Sequence, residues 1–106
     1  MKTKRKVGAP AGLTVHWLMF ELAGEFTKVY HLDYNRRFHH YRFYRLRHRT
    51  IIDEFLIVRT SKKCYRVIYF NNDFKHFQYF SSKNFRELAV RMKAIYKLFK
   101  SVEERG

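Results

Sequence analysis

The chain has little of what usually locks or loosens a small protein. Its only cysteine is Cys64, so no intrachain disulfide can form, and the usage points to an intracellular setting. One proline and four glycines leave no room for long Gly/Pro-rich linkers. No apolar run reaches the ~18 residues of a membrane span. The longest, "LTVHWLMFELA", is interrupted by His16 and Glu21, which also makes it a poor secretory leader. Acids are scarce, nine against 23 Lys and Arg.

What is present is apolar and basic. Hydrophobic residues make up 46% and aromatics 19%, enough for the 106 residues to fold as one unit rather than stay disordered. Net charge is +14, which repels copies of the chain from one another and attracts an anionic partner. The excess is uneven: +4 in residues 1–12, −2 in 13–34, +6 in 35–50, +2 in 51–80 and +4 in 81–106. Residues 1–12 read as a basic disordered tail and 13–106 as a single nucleic-acid-binding domain.

Periodicity gives an α+β chain. Thr14 can cap a short helix through Val15, Leu18, Leu22 and Phe26, with Ala23-Gly24 as a break before "FTKVYHL", which alternates like a strand. "FLIVRTS" and "CYRVIYF" read as strands around a Ser61-Lys62-Lys63 turn. Asn71-Asn72-Asp73 supplies a second turn before "FKHFQYF". Asn84 with Glu87 marks a helix start, and Phe85, Leu88, Ala89, Met92, Ile95, Tyr96 and Phe99 hold one helical stripe. The expected fold is a small three-stranded antiparallel sheet packed on a C-terminal amphipathic helix, with an N-terminal helix/strand extension and a basic tail.

The stretch "RRFHHYRFYRLRHR", residues 36–49, holds six arginines, three histidines, four aromatic rings and no acid. Helical and strand periods both fit it imperfectly, and either one interleaves rings with guanidiniums. Guanidiniums bind phosphate and guanine in bidentate fashion, and rings stack on bases. The competing reading lays the arginines on neighbouring rings by cation–π contact. On the binding reading Arg36, Arg37, Arg42, Arg45, Arg47 and Arg49 are candidate phosphate contacts, joined by Lys93 and Lys97 on the basic side of the last helix.

"CYRVIYFNNDFKHFQYFSSKNFRELAVRMKAIY" resembles the DNA-binding domains of the AP2 type and of integrase arm-binding domains: strand, polar turn, strand ending in an aromatic, short link, helix. The resemblance covers about residues 55–100. The early tryptophan is replaced by Cys64-Tyr65, and the Asn-Gly-Lys turn by Asn71-Asn72-Asp73. It implies that the sheet face away from the helix enters a DNA major groove. Arg59, Arg66, His76 and Gln78 would then be the candidate base contacts, although parity leaves the exposed face open.

No catalytic or metal constellation stands out, and no cofactor is expected. Asp53-Glu54 reads as a solvated turn, and adjacent His39-His40 diverge. The expectation is a non-enzymatic nucleic-acid-binding protein, duplex DNA favoured over RNA, serving transcription regulation, with no membrane role. Its location would be nucleoid, nucleus or cytoplasm. The alternatives are an RNA-binding protein of the ribosome-associated type, or an interaction protein that inhibits an acidic partner.

Overall fold

A helix whose apolar residues recur every three to four positions must lay that stripe on something, and here it lies on a sheet. The computed structural model describes residues 18–35, 40–61 and 64–105. The basic tail, Thr14, Val15, Arg36, Arg37, Phe38, His39, Lys62 and Lys63 lie outside the described residues. After a helical turn at 18–21 come α1 (Glu25–Val29), β1 (His31–Asn35), β2 (His40–Arg47), β3 (Thr50–Ser61), β4 (Cys64–Asn71), β5 (His76–Ser82) and α2 (Phe85–Arg105).

The α+β class and the C-terminal helix agree with the sequence reading, but the sheet is wider than expected. Five antiparallel strands form a meander in the order β1-β2-β3-β4-β5, so three strands is an undercount and β1 and β5 are the edges. The arginine-rich block supplies β2. Its buried positions alternate as Tyr41, Phe43 and Arg45, and the charge at the third of these hides the strand pattern.

A second correction concerns "FTKVYHL". Its first half is helical, because a strand would place Lys28 on the same side as Phe26 and Tyr30 and bury the ammonium. One helical turn instead brings Phe26 and Tyr30 together, rings stacked at 4.2 Å, and leaves Lys28 in water. Gly24 begins that turn at φ 116°, a conformation side chains rarely adopt.

The α2 start is built as the sequence suggests. Asn84 Oδ1 accepts from the backbone N–H groups of Arg86 and Glu87 at 2.8 and 3.1 Å, a cap that contributes about 1 kcal/mol. The Asn84 amide donates to Ser82 Oγ at 3.0 Å, so serine takes the return contact. Leu88, Ala89, Met92, Ile95, Tyr96 and Phe99 then pack with Phe43, Phe55, Ile57, Val67 and Tyr69 of the sheet. Leu18, Leu22, Phe26 and Tyr30 join the same core. Each large side chain so buried contributes roughly 1.5–3 kcal/mol.

Both described hairpin corners use left-handed backbone without glycine. Between β2 and β3, His48 and Arg49 have φ of 52° and 69°. Between β4 and β5, Asn71 Oδ1 accepts from the Phe74 amide at 3.0 Å and Lys75 takes φ 54°. The asparagine turn chemistry is therefore in place, though the positive φ falls on a lysine.

Candidate nucleic-acid interface

Alternation along five registered strands divides the side chains into two sets. One set faces α2. The other forms three rows across the sheet: His31, Tyr44, Glu54, Phe70, Phe77; then Asp33, Arg42, Leu56, Ile68, Tyr79; then Asn35, His40, Val58, Arg66, Ser81. No described element covers this second face. Its apolar share is high for a solvated sheet: Phe77 is 57% and Tyr79 64% exposed, beside half-buried Leu56, Val58, Ile68 and Phe70.

The rings on this face are accompanied by cations. Arg66 holds its guanidinium carbon 5.6 Å from the Tyr79 ring centre, and Arg42 stands 4.8 Å from that of Tyr44. His31 stacks on the other neighbour of that set, Tyr44, at 5.4 Å. Phe77 and Tyr79 are 6.2 Å apart.

The arginine block does have acids opposite it, from other strands and from α2. Arg42 donates through Nε to Glu54 at 2.5 Å and lies 3.6 Å from Asp33. That carboxylate of Glu54, more than any other group, holds the Arg42 proton more tightly than usual. Arg47 reaches Asp73 at 3.0 Å. Arg45 is a correction: it is only 8% exposed, faces the core and is closed to phosphate. Its Nε and Nη2 donate to Asp53 at 2.8 and 3.1 Å, and Nη2 also donates to Glu103 of α2 at 2.9 Å.

Asp53 is likewise no solvated turn. It is fully buried and also accepts from the hydroxyls of Tyr30 and Tyr69, both at 2.7 Å. Asn71 Nδ2 donates to the Tyr69 hydroxyl at 3.0 Å. The Arg45 guanidinium lies 5.4 and 5.3 Å from the Tyr30 and Tyr96 rings. Every charge in this cluster is paired, which is the condition for placing it in an apolar core.

Burial, and next the Asp53 charge, raises the hydroxyl pKa values of Tyr30 and Tyr69. Burial alone leads for Tyr41, pushed up to about 12 from 10.0. A group whose folded pKa is raised gives stability that is whole below its unfolded value and fades above it. Stability is therefore expected to hold to pH 10 and fall from 10 to 12 as Tyr41 ionises in the unfolded chain. Urea midpoints of wild type and Tyr41→Phe across that window check it, since lysine titration is common to both. Parallel curves would show that Tyr41 is not desolvated.

The remaining candidate residues scatter. Arg66 is on the uncovered face and exposed. His76 and Gln78 are corrections: they lie on the α2 side of β5, bonded to each other at 2.7 Å, with the His76 ring 5.3 Å from Phe99. Helix packing decides the parity that the sequence left open, and it turns these two candidates away from the uncovered face. Arg59, also of inward parity, is exposed at the end of β3. Arg49 is exposed at the β2–β3 corner. Lys93 donates to the Glu21 carbonyl at 3.1 Å and so ties α2 to the N-terminal segment, while Lys97 is exposed beside it. Arg36 and Arg37 lie outside the described residues.

Sequence reasoning missed Asp33, Tyr44, Phe70, Phe77 and Tyr79 as members of one surface. Its available signal was the unbroken apolar runs in β3 and β4, which place apolar residues on both sheet faces. Among the described residues no group of His, Cys, Asp or Glu gathers as a metal site, and no helix is long and apolar enough to cross a membrane. No family model, curated protein or solved structure matches the chain.

Proposed function

We propose that this is a non-enzymatic nucleic-acid-binding protein that lays unpaired strand on the uncovered sheet face. The observation that carries the reading is the aromatic and arginine content of that face, with Tyr79 64% exposed and Arg66 beside it. Bases stack on such rings whatever their sequence, and cations along the path hold the phosphates.

Charge supports the same partner. Seven of the nine acids lie within 4 Å of a cationic nitrogen of the protein, Asp33 among them at 3.6 Å. With 23 Lys and Arg against nine acids the remaining field is positive and suited to a polyanion. Dimension favours a single strand over the duplex implied by the AP2 resemblance. Five strands at about 4.8 Å spacing make a face roughly 19 Å across, too wide for a major groove of about 12 Å.

Binding of single-stranded RNA, single-stranded DNA and duplex DNA of equal length across a salt series tests this. Single strands are expected to bind at least about tenfold tighter than duplex, with affinity falling with salt at a log–log slope of about −0.7 per phosphate neutralised. Duplex binding tighter than single strand would restore the groove reading. Absence of any salt-sensitive binding would leave an acidic protein as the partner.

A further inference from the structure

One feature of the uncovered face has the wrong sign for a phosphate backbone. Asp33 lies in its middle row with a side chain 61% exposed. Among the described residues its nearest cation, Arg42 Nη1, is 3.6 Å from Oδ2, and Arg42 donates to Glu54 at 2.5 Å. Asp33 Oδ1 has no partner among the described residues. A carboxylate in this position repels every phosphate near it, whereas a base edge with adjacent donors turns it into an attraction.

The space beside it is of the right kind. A depression of about 400 Å³ lies over β1, β2 and β3, lined by Asp33, Tyr34, Asn35, His40, Arg42 and Leu56. Leu56 offers apolar surface beside Asp33 and Arg42, which set acceptor and donor side by side in the same cross-strand row. Guanine alone among the common bases places two adjacent donors, N1–H and the exocyclic amine, on its Watson–Crick edge, next to the O6 acceptor. Adenine, cytosine and uracil each set a lone pair against one carboxylate oxygen.

We propose that this depression is a guanine-selective subsite on the path of the bound strand, with the Asp33 carboxylate accepting from N1–H and the amine while Arg42 donates toward O6. The proposal rests on the single-strand reading of the face. It adds base selectivity to a surface that stacking alone would leave indifferent to sequence.

The test uses the full chain and short single-stranded RNAs of oligoadenylate carrying one central guanine, inosine or adenine, read by fluorescence anisotropy. Wild type is expected to bind the guanine strand about tenfold tighter than the adenine strand, within the range a good base contact confers. Inosine, which lacks the amine, is expected to lose most of that margin. Asp33→Asn removes the charge with little change of shape at an exposed site; it is expected to reduce the margin to within about twofold while binding the adenine strand at least as tightly as wild type. A merely structural aspartate would weaken both strands together. Binding of all three strands without a guanine margin, or a margin that survives Asp33→Asn, overturns the subsite and leaves the stacking surface standing. No binding of any strand overturns both.

Discussion

Replacing Asp53 by alanine is expected to cost about 3–5 kcal/mol, most of the stability of a domain whose total is of order 5–15 kcal/mol. The carboxylate is fully buried and accepts from Tyr30, Tyr69 and Arg45 at 2.7–3.1 Å. Without it two hydroxyls lose an acceptor, and the Arg45 charge keeps only Glu103 at the edge of the core. The residue removed is small, so lost packing is the lesser part of the effect. Changing both partners separates the two: Arg45→Met with Asp53→Leu should recover only the part of the loss that comes from the unpaired Arg45 charge, because the Tyr30 and Tyr69 hydroxyls still lack their acceptor. Urea midpoints of the single and double variants make the comparison. A single variant within about 1 kcal/mol of wild type would mean that water reaches the cluster.

The second large effect is on binding. Tyr79→Ala together with Phe77→Ala is expected to weaken single-stranded RNA by about 2–4 kcal/mol, roughly thirtyfold to a thousandfold, from about 1–3 kcal/mol per stacked base. The rings are 6.2 Å apart, near enough to share one base step, so full additivity is not expected. Both are more than half exposed, and their loss should leave the melting temperature within a few degrees. Leu98→Ala, 59% exposed on α2, serves as the control for removal of apolar surface elsewhere. Wild-type affinity in the double variant, or equal loss in Leu98→Ala, would show that the sheet face is not where the strand lies.

The parts of the fold legible in the sequence were those set by neighbours along the chain. The α2 stripe repeats within a few residues, and its cap at Asn84 is three residues from Glu87, so local spacing carries both. The arginine block misled for the opposite reason. Within its own window it holds no acid, yet Arg45 meets an acid 8 residues on and another 58 residues on, and Arg42 one 12 residues on. Strand pairing and the docking of α2 brought these charges together, and no window of sequence contains either. The face of β5 was left open for the same reason. His76 and Gln78 share a side, as read, but which side meets α2 depends on where the helix lies across the sheet. The uncovered face was the hardest to see, because Leu56, Val58, Ile68 and Phe70 look like core until the register shows them pointing away from it.

The β2–β3 corner has a consequence for anyone seeking a sturdier version of this domain. His48 and Arg49 occupy left-handed backbone at φ 52° and 69°, where side chains other than those of Gly, Asn and Asp cost about 1 kcal/mol or more each. Asn-Gly is the pair such a two-residue hairpin prefers, so the corner is the obvious place for a thermostabilising exchange. The same corner holds Arg49 against a depression it shares with Glu54, Phe70 and Asn72 on the uncovered face. Stability gained there would remove a guanidinium from the rim of the proposed binding surface, so on that proposal hardness and affinity are set against each other at those two positions.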